Sequence, residues 1–233
     1  MTVNEANRKE KLLIILPGLS ATPQQYMMMA IGNELVANGY DIFIADMYGS
    51  DKKDGRYPRS LPEITMQRHI EDLGDIVNHF SPAYSAVYAA AHSIAGRILL
   101  LADTRGLAKQ VLLDPAGNYD SPEAKAIEKQ YYKFSSSMNT QYIDWGDGIF
   151  MPAGPIVQEL ADTPFKVFEA AINNIKVNTL IIAAGHSLIG KAYKDLTNKT
   201  VSYIEVPGAS HTFWEYGAAQ SAAREILKFF GGK

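Results

Sequence analysis

Ser93 is the residue whose surroundings first suggest chemistry. It lies in the run Ala86-Val87-Tyr88-Ala89-Ala90-Ala91-His92-Ser93-Ile94-Ala95-Gly96, with Ala91 two positions before it and Ala95 two after. Small-x-Ser-x-small is what a serine on a sharp strand-to-helix turn requires, because such a turn brings the flanking backbones close together. The turn would lift the hydroxyl above the sheet. It would also leave the N–H of Ile94 at a helix N-terminus, where a developing oxyanion can be held. The same stretch also fits an ordinary helix N-cap serine after a buried strand, and these residues alone leave both options open.

A nucleophilic serine needs a base, and the chain has five histidines. His69 and His79 fall in a helical stretch and are expected to be surface or packing residues. His92 adjoins Ser93 but should point elsewhere on the turn, as a wall of the site. His211 lies in Val206-Pro207-Gly208-Ala209-Ser210-His211-Thr212-Phe213-Trp214, between the last strand and the last helix expected from the pattern. Loops at the carboxyl ends of parallel strands gather at one edge of the sheet. His211 can therefore reach Ser93 and act as general base, although far from it in sequence.

The elements that must hold these residues follow from the hydrophobic pattern. Leu12–Leu16, Asp41–Ala45, Ala86–Ala91, Gln110–Leu113, Thr179–Ala184 and Val201–Val206 are short apolar runs of strand length. The continuous ones suit strands buried on both faces of a parallel sheet. Helical patterns over Gln24–Asn38, Glu63–Phe80, Ile94–Thr104 and Glu215–Phe230 alternate with them. The expected fold class is therefore α/β, a mainly parallel sheet flanked by helices. Residues 118–177 interrupt the alternation with Tyr131, Tyr132, Phe134, Tyr142, Trp145, Phe150, Phe165 and Phe168. Their length and aromatic content predict a cap inserted over the strand ends, with 1–117 and 178–233 forming the core.

Several motifs together resemble the α/β-hydrolase fold superfamily across nearly the whole chain. Leu16-Pro17-Gly18-Leu19 is similar to the strand-end oxyanion loop of that family, with proline in place of its usual histidine. Asp46-Met47-Tyr48-Gly49 resembles its D-x-x-G. Ala91-His92-Ser93-Ile94-Ala95-Gly96 resembles G-H-S-x-G-G with alanine at two glycine positions, and Pro207-Gly208-Ala209-Ser210-His211 resembles its G-x-x-H loop. The resemblance implies Ser93 as nucleophile, His211 as base, and the N–H groups of Leu19 and Ile94 as oxyanion hole. Asp46 and Tyr48 would be loop anchors. The Met27-Met28-Met29 run is expected to pack behind the oxyanion loop.

The acid departs from the family pattern. Its usual place is a G-x-x-D after the penultimate strand, and here that stretch is Gly185-His186-Ser187-Leu188. Pancreatic-type lipases, which belong to the family, take the acid from the end of the preceding core strand. Leu113-Asp114-Pro115-Ala116 stands at that place, so the resemblance implies Asp114 as the group that orients His211. A turn-forming role for Asp114, a dyad or another carboxylate, and an inactive site are the alternatives. Gly185-His186-Ser187-Leu188-Ile189-Gly190-Lys191 also matches G-x-x-x-x-G-K. A nucleotide phosphate loop would need Ser or Thr next, and Ala192 stands there, so nucleotide binding is not expected.

Bulk properties narrow the classes. The chain of 233 residues is 47% hydrophobic and 20% charged, with net charge −3 and no cysteine. It suits one soluble domain and offers no basic block for nucleic acid or an anionic membrane. Disulfides, thiolate metal sites and cysteine nucleophiles are excluded by composition. Leu12–Leu16 is too short for the core of a signal peptide, and a cytoplasmic location is expected. No cofactor or metal is implied. The expected activity is cleavage of a carboxylic ester or related small acyl substrate by a serine hydrolase, through an acyl-enzyme. The competing expectations are a non-catalytic small-molecule receptor or pseudoenzyme on the same fold, and an acyltransferase, perhydrolase or lyase using the same site.

Overall fold

The computed structural model describes residues 8–19, 21–45, 65–117, 132–137, 140–144, 150–152 and 155–231. Asp46-Met47-Tyr48-Gly49 lies outside the described residues. Six strands form one sheet: β1 (Lys11–Leu16), β2 (Tyr40–Ile44), β3 (Ala86–His92), β4 (Lys109–Leu113), β8 (Asn178–Ala184) and β9 (Val201–Val206). They lie in the order β2-β1-β3-β4-β8-β9, and every pairing is parallel. Between β4 and β8, the strands β5 (Tyr132–Ser135), β6 (Thr140–Asp144) and β7 (Phe150–Pro152) form a separate antiparallel sheet.

Strict burial on both faces explains why the central strands read as unbroken apolar runs. Leu12, Ile14 and Leu16 of β1 face one hydrophobic cluster and Leu13 and Ile15 face the other. In β3, Val87, Ala89 and Ala91 take the first side and Tyr88 and Ala90 the second. Such period-two alternation between two cores, with apolar residues at both phases, requires helices on both faces. Helices α1 (Tyr26–Ala37) and α6 (Ala218–Phe230) cover the second side, through Met27, Met28, Ile31, Leu35, Ala219, Ala222, Ala223 and Ile226. Helices α2 (Met66–Phe80) and α3 (Ile94–Leu101) cover the first. Seven residues of α3, Ile94 through Leu100, are buried. A helix apolar all round is one enclosed on every side, which puts the element after Ser93 in the interior.

Within the 118–177 segment, α4 (Pro155–Asp162) and α5 (Phe165–Asn174) follow the small sheet. Ile156, Leu160, Phe165, Phe168 and Ile172 join the same cluster as α2 and α3. Glu159 accepts a hydrogen bond from the N–H of Met66, fixing the start of α2. Arg97 on α3 is fully buried and donates to the carbonyls of Ala116, Gly117 and Leu160, with its guanidinium 3.9 Å from the Phe168 ring centroid. The two helices thus belong to the packing beneath the sheet, as the crossover from β4 to β8. Among the described residues, no helix is long and apolar enough to cross a membrane.

Candidate active site

Three strand ends at the carboxyl edge of the sheet converge on one point. Ser93 follows β3 directly, Asp114 follows β4, and His211 lies in the turn between β9 and α6. The Ser93 Oγ is 3.0 Å from His211 Nε2, and His211 Nδ1 is 2.5 Å from Asp114 Oδ2. Ser93 makes no side-chain bond to the helix it precedes. Its hydroxyl serves the imidazole instead, which removes the N-cap alternative.

The backbone around these residues is strained in a localised way. Among the described residues, the non-glycine residues with positive φ are Ser93 (55°), Asp114 (39°) and Phe213 (51°). Each such residue costs of order 1–3 kcal/mol and persists only where its surroundings over-determine it. At Ser93 the surroundings are its own N–H donating to Leu113 O (3.0 Å), and its carbonyl accepting from Gly96 and Ala116 (both 3.0 Å). At Asp114 the N–H donates to Ile182 O at 2.7 Å. Phe213 is fully buried, as is Ala209, so the His211 turn is anchored in the core two residues to either side.

Asp114 is fully buried, and its carboxylate is met by donors from a different strand end. Oδ1 accepts from the N–H of Ala184 (3.0 Å) and of Gly190 (3.1 Å). Burial alone would raise its pKa. The hydrogen bond and charge of His211, with further bonds from the Ser187 side chain and Ala184, outweigh that and hold the carboxyl below its ordinary range. An ionised carboxylate only accepts, so His211 Nδ1 carries the hydrogen. His211 Nε2 is then the acceptor facing the Ser93 hydroxyl. Leu188, at the usual acid position, is 70% exposed and takes no part.

His92 is buried and packs ring against ring with His211, centroids 4.7 Å apart. Its Nε2–H donates to the carbonyl oxygen of His211 at 2.8 Å. Burial first, and the neighbouring His211 second, push its pKa down to about 3. It is therefore a neutral donor holding the backbone of His211. Its other ring nitrogen lies against Gly18, where a Cβ would come within 2.9 Å of it and 3.1 Å of Ser93 Cβ. Only glycine lets the Pro17-Gly18-Leu19 turn approach Ser93 this closely. Leu19 is half-buried in that turn, and Ile94 opens α3, where first-turn N–H groups lack intrahelical acceptors. Met27 and Met28 are buried and Met29 is exposed.

A six-stranded parallel sheet with this strand order, a strained serine at the end of β3 and a histidine turn after the last strand can be compared with known proteins. No family model matches the chain, and no curated protein matches its sequence. Solved structures do match. A pair of metagenome-derived lipolytic enzymes, LipS and LipT, is represented at TM-score 0.72 and 14% identity, over 95% of this chain and 94% of theirs. Est1E from Butyrivibrio proteoclasticus, bound to ferulic acid, matches at TM-score 0.70 and 18% identity, over 95% and 88%. A soluble variant of monoglyceride lipase from Saccharomyces cerevisiae matches at 0.68 and 12%, over 97% and 87%. The chain has the α/β-hydrolase fold. On the α/β-hydrolase fold the expectation of a parallel sheet flanked by helices holds, and the site stands at the carboxyl edge where that fold concentrates its loops.

Sequence reasoning missed the groups that hold the acid: Ala184, Ser187 and Gly190. A signal was present, since the G-x-x-x-x-G-K spacing marks a loop whose backbone can approach an anion. It also missed the bond from His92 to the carbonyl of His211, which no residue type or spacing announces.

Proposed function

We propose that this protein is a serine hydrolase acting on a carboxylic ester or a related small acyl compound. The observation that carries the proposal is the continuous relay of Ser93 Oγ, His211 and Asp114, at 3.0 and 2.5 Å, drawn from three separate strand ends. In this reading Ser93 Oγ attacks the substrate carbonyl carbon while His211 Nε2 takes its proton. The carbonyl oxygen becomes an oxyanion held by the N–H groups of Leu19 and Ile94. His211 returns the proton to the leaving alcohol, and an acyl-enzyme remains. Water then attacks the acyl carbon with His211 again as base, releasing the acid and restoring the serine. Asp114 stays ionised throughout and stabilises the imidazolium. The receptor alternative drew its support from Leu188, and Asp114 bonded to His211 supplies the acceptor that Leu188 lacks.

We extend the same proposal to a cap over the site within the 118–177 segment, and to a small neutral or apolar acyl substrate. The test is labelling with a fluorophosphonate probe, followed by intact mass. A single adduct, lost in Ser93→Ala, is expected. A wild-type protein that stays unlabelled under conditions that label known serine hydrolases overturns the proposal. Product analysis on esters of graded chain length, with and without an alcohol acceptor, separates hydrolysis from acyl transfer.

A further inference from the structure

We propose that the loop from Ala184 to Gly190 is a carboxylate-binding site in its own right, which the Asp114 side chain occupies, and that Ser187 and Gly190 are positioning residues for the acid. The catalytic part of this inference rests on the hydrolase reading. The binding part does not.

The loop and its anion come from different strands. Asp114 ends β4, and the donors follow or end β8. The N–H groups of Ala184 and Gly190 both converge on Oδ1. The Ser187 hydroxyl, in the same loop, adds to what holds the carboxyl below its ordinary range. Its Oγ accepts from the N–H of Ile189 at 3.1 Å, which leaves the hydroxyl hydrogen free to turn toward Asp114. Ser187 is buried, so water does not compete for that hydrogen. Lys191 Nζ closes the loop on itself by donating to Gly185 O at 2.7 Å. A Cβ at position 190 would fall inside the contact radius of Asp114 Oδ1 and 3.1 Å from its Cα. Glycine there is required by the anion, not by the turn.

The chemistry of the motif follows. A G-x-x-x-x-G-K loop brings backbone N–H groups toward an anion. Here the anion is the protein's own carboxylate, and Ala192 need not be a hydroxyl residue because no metal-bound phosphate is involved. Oδ1 is saturated by the loop, so Oδ2 alone faces His211 Nδ1. Because the donors lie outside the strand of Asp114, removing that side chain leaves them in place. They would then form a site for one small monocarboxylate beside His211.

Chemical rescue tests this. In Asp114→Gly, which also accepts the positive φ, formate should raise the thermal midpoint saturably, and chloride at equal ionic strength should not. The wild type should show no such shift. Formate should also restore fluorophosphonate labelling of Ser93 by about tenfold or more, and butyrate should fail for size. Adding Ser187→Ala should weaken the apparent formate affinity by about tenfold. A cooperatively folded Asp114→Gly with no formate-specific shift overturns the proposal. If that variant does not fold, Ser187→Ala and Ser187→Thr in the otherwise native chain decide. A fall in kcat at unchanged KM that Thr restores supports the proposal, and equal loss in both variants, or no loss in Ser187→Ala, overturns it. The thermal shift needs no catalysis, so an unlabelled wild type sinks the hydrolase reading while leaving this site testable.

Discussion

Ser93 and Asp114 end neighbouring strands, and the contrast between them shows how the sheet distributes freedom. His92 pairs with Leu113 in the ladder, so Ser93 and Asp114 leave β3 and β4 at the same level. Both have positive φ. From there they diverge. Ser93 is half-buried and its hydroxyl meets one partner, the imidazole. Asp114 is wholly buried, and its carboxylate meets His211 and two backbone N–H groups. On the proposed reading the difference has a reason: a nucleophile must leave its base and form a new bond, so it can have few ties. An acid that orients a base must stay put, so it has many. The same backbone device serves both, and the side-chain environment decides which role it supports.

The largest expected effect tests the free side of this contrast. Ser93→Ala should abolish labelling and lower ester turnover by about 10⁶-fold, with thermal stability almost unchanged. A large drop in stability would mean the hydroxyl is a structural tie after all. The next effect tests the pinned side. In Asp114→Asn the donors of Ala184 and Gly190 demand an acceptor, so the amide oxygen must take their place. The amide NH₂ then faces His211 Nδ1, which has to become an acceptor. The imidazole hydrogen moves to Nε2 and points at Ser93, the wrong tautomer for a base. Turnover should fall by about 10⁴-fold while the fold persists. Nitrogen NMR of His211 should report the exchanged tautomer, and an unchanged tautomer with near-native rate would place the acid elsewhere.

The two sides were also unequally legible in the sequence. The elbow could be read because its requirement is local: small residues next to a serine, after an apolar strand. The His211 turn could be read because parallel topology puts its strand end beside that of Ser93. The acid is a long-range matter. Asp114 lies 97 positions from the histidine it meets and 76 from Gly190. Asp-Pro is good turn chemistry anywhere, so only resemblance to other proteins raised it above that. The loop that holds it was visible only as a flawed phosphate motif, because an anion supplied by the protein itself leaves no mark in the spacing. The 118–177 segment blurred for a similar reason. Its aromatic residues suggest a cap, yet Phe165 and Phe168 are core residues of a crossover helix.

A smaller effect concerns the histidine between the two sides. His92 must stay neutral to fit, and its pKa lies at about 3 against an ordinary 6.5. Between those values the unfolded chain binds a proton that the folded chain refuses. Stability is therefore full above about pH 6.5 and falls as pH drops toward 3, by up to about 1.4 kcal/mol per pH unit for this one group. Asp114 adds a loss of its own only below its ordinary 3.8, where its depressed carboxyl begins to protonate more readily in the unfolded chain. Urea unfolding between pH 6.5 and about 4 thus isolates His92 from Asp114. His92→Gln, which keeps an N–H donor for the His211 carbonyl, should reduce the slope there, leaving the share of His69, whose burial also pushes its pKa down. An identical slope in the variant would show that the ring is protonated in the folded protein.

The smallest effect returns to the backbone that the two sides share. If Ser93 carries strain for the sake of presenting its hydroxyl, a residue indifferent to positive φ should relieve it. Ser93→Gly should be more stable than Ser93→Ala by about 1 kcal/mol, because glycine reaches φ near 55° without penalty and alanine does not. That difference is net, strain relief of about 1–3 kcal/mol less up to about 1 kcal/mol for the greater entropy of glycine in the unfolded chain. The corresponding pair at Asp114 should behave differently. Asp114→Gly sheds the same kind of strain but also empties the loop of Ala184, Ser187 and Gly190, so its net stability should fall below that of Ser93→Gly. Equal stabilities for the two glycine variants would mean that the donors around Asp114 contribute no more to the fold than the single bond at Ser93.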